Sequence, residues 1–320
     1  MDAIDLIVPI VILLVTLLYR FIYKKTELSL GKLEGKNVII TGASWGIGAE
    51  IAYHCALNKA SKIIIAARRT SLLEKVYDKC LHLSNNQSRI KVVTCDLGIE
   101  EECVRLIRES LDFFKSSNND SRIDLLILNH TLSIMERINF SDPIGTLEKT
   151  RNLTNVNFIG FAALAHHAIP HMSTLSSSSS NFSTIIVVTS MFAEISLGMS
   201  WAYSATKSAI NSYFNCLRDQ LSHAKLPIRV TIVHLGAVNT EIWKINLSRF
   251  PKLWFGSKSF IAKDPSEAAD VVLRSGLRGE KNVWFPWYTV FLRMIYGVIP
   301  EVARSIGRFI EDTLLEEINT

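Results

Sequence analysis

A phenol and an ammonium stand four residues apart in Tyr203-Ser204-Ala205-Thr206-Lys207. On a helix that spacing puts both groups on one face. A free tyrosine, with a pKa near ~10, is a poor acid–base group at neutral pH. A neighbouring cation favours the phenolate and draws the value toward working pH. Ser190 lies upstream, at the end of the apolar run Ile185-Ile186-Val187-Val188-Thr189, where it can offer a hydroxyl to the same substrate oxygen. Any amphipathic helix supplies the Tyr-to-Lys spacing by chance, so its meaning rests on the elements that hold it.

Those elements read as alternating strands and helices. Val38-Ile39-Ile40-Thr41 is an apolar strand, followed at once by Gly42-Ala43-Ser44-Trp45-Gly46-Ile47-Gly48 and a helix to about Asn58. A strand, a glycine turn and a helix N-terminus make a phosphate cradle, because glycines let the backbone approach and helix N–H groups face the anion. A second strand, Lys62 to Ala67, ends in Arg68-Arg69. An acid at that position selects NAD through the ribose 2′-hydroxyl, whereas arginine accommodates a 2′-phosphate. No acid adjoins it in sequence, and Ser44 can add a hydroxyl contact, so the expected cofactor is NADP(H). The bland alternative is a pair of solvated loop arginines.

Helix-like sequence follows from Leu72 to Leu83, then a strand from Lys91 to Cys95. Asp96 at its end, beside Leu97, could accept from an adenine amino group. A helix from Glu100 to Lys115 and a strand from Ile123 to Leu128 lead to Asn129-His130-Thr131. The spacing predicts one long helix from Arg151 to about His171 that holds Asn157. Asn157 either marks a functional kink or faces a polar loop, since a buried amide needs partners. Beyond the serine run Ser176 to Ser180 and the strand before Ser190, the Tyr203 helix spans about Ala202 to Ala224. A sixth strand, Ile228 to Val233, leads into Leu235-Gly236-Ala237-Val238-Asn239-Thr240. Asp264-Pro265 reads as a helix start and Val283-Trp284-Phe285 as a last strand. The expected fold is α/β, a doubly wound parallel sheet of Rossmann type, as a single domain over residues 36–286. The polar features fall at strand C-termini, where ligands bind in such sheets.

The composition is that of a globular chain, 48% hydrophobic and 20% charged over 320 residues. A net charge of +5 without a dense basic stripe argues against nucleic acid as a partner. Five cysteines with no C-x-x-C pair read as reduced thiols, and no metal site is expected. Residues 1–25 read as an N-terminal transmembrane helix: Ile4 to Tyr23 is nearly uncharged, Asp2 and Asp5 precede it, and no cleavage site follows. Arg20, Lys24, Lys25 and Lys32 follow the span, so the positive-inside rule places the body in the cytosol. Residues 26–35 form a connector. Residues 287–320 form an apolar, helical extension that either contacts a membrane or a second copy, or simply packs on the core.

In their joint order these motifs resemble the short-chain dehydrogenase/reductase superfamily over about residues 35–285. They are Thr41-Gly42-x-x-x-Gly46-x-Gly48, Asp96, Asn129-His130, Asn157, Ser190 and Tyr203-x-x-x-Lys207. Leu126-Ile127-Leu128-Asn129-His130, Val156-Asn157-Phe158, Ala202-Tyr203-Ser204-Ala205-x-Lys207 and Leu235-Gly236 are most similar to the branch of 11-beta-hydroxysteroid dehydrogenase type 1. The resemblance implies a tetrad of Asn157, Ser190, Tyr203 and Lys207. In it Tyr203 exchanges the proton and Ser190 bonds the substrate oxygen. Lys207 holds the nicotinamide ribose, and Asn157 holds a water. The cofactor contacts it implies are Gly42, Ser44, Trp45, Gly46, Ile47, Gly48, Arg68, Arg69, Asp96, Leu97, Asn129, His130, Gly236, Val238 and Thr240, together with Tyr203 and Lys207. It also implies a homodimer, an endoplasmic-reticulum membrane and a modification-free Asn129, although Asn129-His130-Thr131 is formally a glycosylation sequon. The charges around the span run opposite to those of the steroid dehydrogenase, whose catalytic domain is lumenal.

Substrate contacts are expected from Ser190, Met191 and Tyr203, with Phe192, Glu194, Met199, Trp201 and residues 241–263 nearby. Their apolar character favours a bulky lipophilic alcohol or ketone, a small-molecule substrate such as a steroid or retinoid. Glu194 has no explanation in this reading. Acyl-lipid or xenobiotic carbonyls are the alternative substrates, and a catalytically idle cofactor-binding scaffold on the membrane is the alternative of another class.

Overall fold

The computed structural model describes residues 30–115, 121–172, 182–196, 198–241, 262–301 and 305. The expected anchor, the serine run and residues 242–261 of the substrate-lining segment lie outside them. Among the described residues no helix is long and apolar enough to cross a membrane.

Strand β1 (Asn37–Thr41) leads into helix α1 (Gly46–Leu57), β2 (Lys62–Ala67) into α2 (Thr70–Leu83), and β3 (Arg89–Thr94) into α3 (Glu100–Phe114). Strand β4 (Leu125–Leu128) is followed by α4 (Pro143–Thr154), a π-turn (Asn155–Ile159) and α5 (Gly160–Ala168). Strand β5 (Ser183–Ser190) leads to α6 (Trp201–His223), β6 (Ile228–Leu235) to α7 (Pro265–Arg278), and β7 (Asn282–Phe285) to α8 (Tyr288–Val298). The strands form one seven-stranded sheet in the order β3-β2-β1-β4-β5-β6-β7, and every adjacent pair is parallel.

Side chains on a strand alternate between faces, and here both faces are covered. Val38 and Ile40 enter a core built with α1, α2 and α7. Ile39 between them enters the opposite core, with α3, α5 and α6. Continuous apolar strands are what two-sided burial demands. Leu30 and Leu33, in a 3-10 turn within the expected connector, are buried in the first core.

The helix expected from Arg151 begins earlier, at Pro143. The Asp142 side chain caps it by accepting from Gly145 N–H at 2.9 Å, with Pro143 in the first turn. Periodicity hid this start, because Ile144 and Leu147 are exposed. The helix is also not continuous. Around Asn157 it widens to a π-turn, in which Gly160 N–H bonds Asn155 C=O five residues back.

In this strand order the switch point lies between β1 and β4, where loops leave toward opposite faces and a crevice opens. The β1 glycine loop and the Asn129 loop meet there: a Cβ on Gly42 would lie 2.7 Å from His130 Cα.

Candidate active site

The β1 loop keeps its space open by lacking side chains. Gly42 and Gly46 have φ of +66° and +58°, which L side chains rarely adopt. A Cβ on Gly48 would lie 2.2 Å from Gly42 C=O, and one on Gly46 would lie 3.0 Å from Thr240 Cγ2. Helix α1 starts at Gly46, and its N-cap residue Trp45 makes no side-chain cap bond. Open backbone at a helix N-terminus fits a dinucleotide pyrophosphate. Ser44 is buried, Ile47 is half-buried against the core and Trp45 is 50% exposed beside the loop.

Several expected cofactor contacts brace this loop from behind. Thr41 Oγ1 donates to Ile127 C=O at 3.1 Å and accepts from Asn129 N–H at 2.9 Å. The Asn129 amide donates to the carbonyls of Thr41 and Gly42 at 3.3 and 3.4 Å. His130 Nδ1 lies 2.9 Å from Thr41 Oγ1, and its ring packs on Phe161 with centroids 4.3 Å apart. Burial, with Lys207 adding to it, pulls His130 down to about 3, so it is a neutral packing group. Leu97 is a core side chain, and a Cβ on Gly160 would lie 2.1 Å from its carbonyl. Gly236 gives room to α8: a Cβ there would lie 2.6 Å from Tyr288 Oη, which accepts from Ala237 N–H at 2.8 Å. The Leu97 and His130 side chains are therefore packed inward, the first in the core and the second on Phe161. Strand ends bring such residues to the site, but the pleat decides which way each side chain points.

The arginine rim also differs from its expectation, because two acids adjoin it in space. Arg68 lies 3.8 Å from Asp96, whose other oxygen accepts from Gly98 N–H at 2.9 Å. Arg69 pairs with Glu241 at 2.8 Å and donates to Ser44 Oγ at 3.3 Å. Glu241 follows Thr240 in the loop after β6, where Val238 bridges to Lys263. Glycine loop, β2 loop and β6 loop thus meet around one guanidinium. Both ion pairs are roughly half-exposed, so each contributes little to stability, about 0–1 kcal/mol.

The catalytic candidates converge on the other side of the crevice. Ser190 ends β5, and its Oγ accepts from Phe192 N–H at 3.2 Å, which leaves the hydroxyl proton to be donated elsewhere. Ser208 donates to Ala193 C=O at 2.7 Å and fastens the turn after β5 to α6. Tyr203 is half-buried on α6. Burial raises its pKa, opposed by hydrogen bonds from Ser190 and Thr131. Phe192 meets the tyrosine edge-on, with ring centroids 6.2 Å apart. Met191, in the same 3-10 turn, is half-buried.

Lys207 is only 2% exposed, and burial draws it down to about 7. Its Nζ lies 5.4 Å from the Phe161 ring centroid and 5.6 Å from that of Tyr203. The expectation that lysine would pull the tyrosine below its ordinary value is not met in this arrangement, because burial penalises both charges. An ammonium held so deep matches a ligand that brings hydroxyl acceptors to it.

Asn157 answers both of its alternatives. It lies in the π-turn, and it faces a loop. Its amide donates to Leu132 C=O at 2.8 Å and to Thr206 Oγ1 at 3.1 Å. Its Oδ1 accepts from Leu132 N–H at 2.7 Å and Thr131 Oγ1 at 3.4 Å. These four bonds tie the loop after β4 to α6 through the Asn157 side chain. Thr131 is the group that sequence reading passed over. Only the sequon drew attention to it, and nothing local marks a threonine after a strand as bonding the Asn157 amide. Glu194, unexplained from sequence, pairs with Arg293 of α8. Arg293 in turn lies 4.4 Å over the Trp284 ring, which stacks on His234.

A parallel sheet with this glycine cradle, Ser190 and Tyr203 agrees with a family model described as short chain dehydrogenase, which matches residues 36–249. The chain belongs to the short-chain dehydrogenase family. A hydroxysteroid 11-beta-dehydrogenase 1-like protein of Gallus gallus is 30% identical over 270 residues, 84% of this chain and 85% of that one. An 11-beta-hydroxysteroid dehydrogenase-like 2 protein of Arabidopsis thaliana is 28% identical over 303 residues, covering 93% and 90% of the two chains. A short chain dehydrogenase from Burkholderia cenocepacia J2315, crystallised in complex with NADP, shares the fold. It has a TM-score of 0.65 and 23% identity, covering 86% of this chain and 98% of its own. At the rim of this short-chain dehydrogenase, Glu241 occupies Arg69.

Proposed function

We propose that this protein is a membrane-anchored oxidoreductase that moves a hydride between NADP(H) and the carbonyl or hydroxyl carbon of a lipophilic substrate such as a steroid or retinoid. The observation that carries the reading is Tyr203 edge-on to Phe192 in the turn that Ser190 opens, with Lys207 buried 5.6 Å from the tyrosine ring centroid. The glycine loop would hold the pyrophosphate, Ser44, Arg68 and Arg69 the 2′-phosphate, Asp96 the adenine side, and Lys207 the nicotinamide ribose hydroxyls. Val238 and Thr240 would lie along the carboxamide. Bound NADPH supplies the hydride for the substrate carbon. Tyr203 gives its phenolic proton to the substrate oxygen, and Ser190 hydrogen-bonds that oxygen with the proton that Phe192 N–H leaves directed outward.

Phe192 against Tyr203 and the half-buried Met191 support an apolar substrate. The names of the relatives point the same way. The apolar run Ile4 to Tyr23 supports the anchor, proposed for an endoplasmic-reticulum membrane, and Lys24 and Lys25 after it support a catalytic domain on the cytosolic side. Exposed Phe140, Ile144 and Leu147 in and before α4 favour a homodimer.

The test is NADPH oxidation with a panel of steroids, retinaldehyde and simple diketones, for wild type and Tyr203→Phe. Turnover should fall about 10²–10⁴-fold in the variant; turnover that persists sinks the mechanism. Protease protection in microsomes reads the orientation, and a shielded body rules out the cytosolic placement.

A further inference from the structure

Tyr203 sits in the first turn of α6, which begins at Trp201. The N-cap residue Ser200 makes no side-chain cap bond, and its Oγ lies 2.8 Å from Ser204 Oγ. Helix ends without a cap fray. Thr206 reaches both this turn and another element. It is buried, and its Oγ1 donates to Tyr203 C=O at 2.8 Å and accepts from the Asn157 amide at 3.1 Å. The polarity is fixed, because a carbonyl only accepts and an amide N–H only donates. The orientation of that amide is set by Leu132, whose N–H bonds Asn157 Oδ1 at 2.7 Å and whose C=O accepts from the amide at 2.8 Å. A hydroxyl bonded to its own preceding turn is ordinary in helices, and Thr150 and Thr154 of α4 make such bonds. At Thr206 the same oxygen also takes a buried amide from another element.

We propose that Thr206 is a positioning residue that fastens the first turn of α6, and the Tyr203 phenol with it, to the Asn157 side chain. This rests on the reading of Tyr203 as proton donor. The link runs from Asn157 through Thr206 to the Tyr203 carbonyl, and it supplies from the side the hold that a cap would give at the helix end. Three elements share it: the π-turn, the loop after β4 and α6. Threonine suits the position. In a helix its hydroxyl chooses between two rotamers, and two partners on one oxygen select one of them. Ser208, on the other side of Lys207 in sequence, donates to Ala193 C=O at 2.7 Å. One hydroxyl thus ties α6 to the loop after β4, and the other ties it to the turn that Ser190 opens. Thr206 makes and breaks no bond in the reaction. It keeps the phenol in place, and a misplacement of about 1 Å at a reacting group costs on the order of 10²-fold in rate.

The test measures kcat and KM for carbonyl reduction in wild type, Thr206→Val and Thr206→Ser, each well below its thermal midpoint. Thr206→Val keeps the shape of the side chain and loses both bonds. Its kcat should fall about tenfold with KM for the carbonyl substrate little changed, and Thr206→Ser should restore kcat. A second readout needs no substrate. Amide hydrogen exchange at residues 205–208, followed by mass spectrometry, should quicken about tenfold in Thr206→Val and return to the wild-type rate in Thr206→Ser. Adding Thr206→Val to Asn157→Ala should quicken it no further than Asn157→Ala alone, because either change cuts the same link. If valine does not fold, Thr206→Ala takes its place. A valine variant with a lowered thermal midpoint and wild-type kcat has lost only stability and overturns the proposal. Unchanged exchange, or a serine variant that behaves like valine, overturns it too. Activity persisting in Tyr203→Phe would overturn the functional reading, while exchange would still decide whether Thr206 holds the turn.

Discussion

The two sides of the crevice are built on opposite physics. On the catalytic side the polar groups are buried and bonded to partners from several elements. Asn157 and Lys207 are 0% and 2% exposed, and Asn157 alone ties the loop after β4 to α6. On the rim, Arg68 and Arg69 are 57% and 50% exposed in ion pairs that solvent screens. Burial makes the first side rigid and costly to alter. Exposure makes the second cheap to rearrange, so a bound 2′-phosphate can displace Asp96 or Glu241 from an arginine at little cost. Under the proposed function, chemistry sits where geometry cannot drift, and cofactor choice where charge can re-pair.

Lys207→Met would break this contrast most severely. It should reduce turnover about 10²-fold or more, yet raise the thermal midpoint, since it removes a desolvated ammonium. The sign follows from linkage. The folded value of about 7 lies below the ordinary 10.5, so between those limits the unfolded chain binds more protons. Wild-type stability should therefore rise with pH through that window, and the methionine variant should lose that slope in thermal melts. A variant less stable than wild type at pH 7 would contradict the account.

Asn157→Ala tests the buried side by its hydrogen bonds. It strips partners from both backbone groups of Leu132, and the expected loss is about 2–4 kcal/mol in denaturant unfolding. A loss below about 0.5 kcal/mol would mean that water replaces the amide.

On the rim, Arg69→Ala should weaken NADPH about tenfold and leave NADH nearly unchanged. Glu241→Gln should do the reverse, tightening NADPH a few-fold at low salt and not at high salt. Equal effects on the two cofactors, read by fluorescence titration, would remove the rim from cofactor selection.

The smallest effect concerns acid stability. His234 is buried and held down at about 4, so stability is complete above its ordinary 6.5 and is lost as pH falls through 4. His234→Phe, which can keep the stack on Trp284, should flatten that part of the acid limb in pH-dependent melts. A limb as steep as wild type would point to other groups.

Strand and helix order, the glycine loop and the Ser190, Tyr203 and Lys207 positions were all legible in the chain, because each rests on local pattern. Apolar runs bounded by glycine or by polar loops mark buried strands, and a helical spacing fixes which residues share a face. The start of α4 was legible too, in Asp142-Pro143, but was obscured by an exposed apolar face.

Other features depend on chain segments far apart in sequence. Glu241 is 172 positions from Arg69, and nothing near the arginines announces it. Glu194 finds Arg293 across 99 positions. Thr131 becomes part of the site only because the π-turn aims Asn157 at the loop after β4. Residue types and local spacing specify which chemistry is available. Which loop meets Asn157, and which acid meets each arginine, is set by the packing of the sheet's two layers, because contact between distant segments has no local signature.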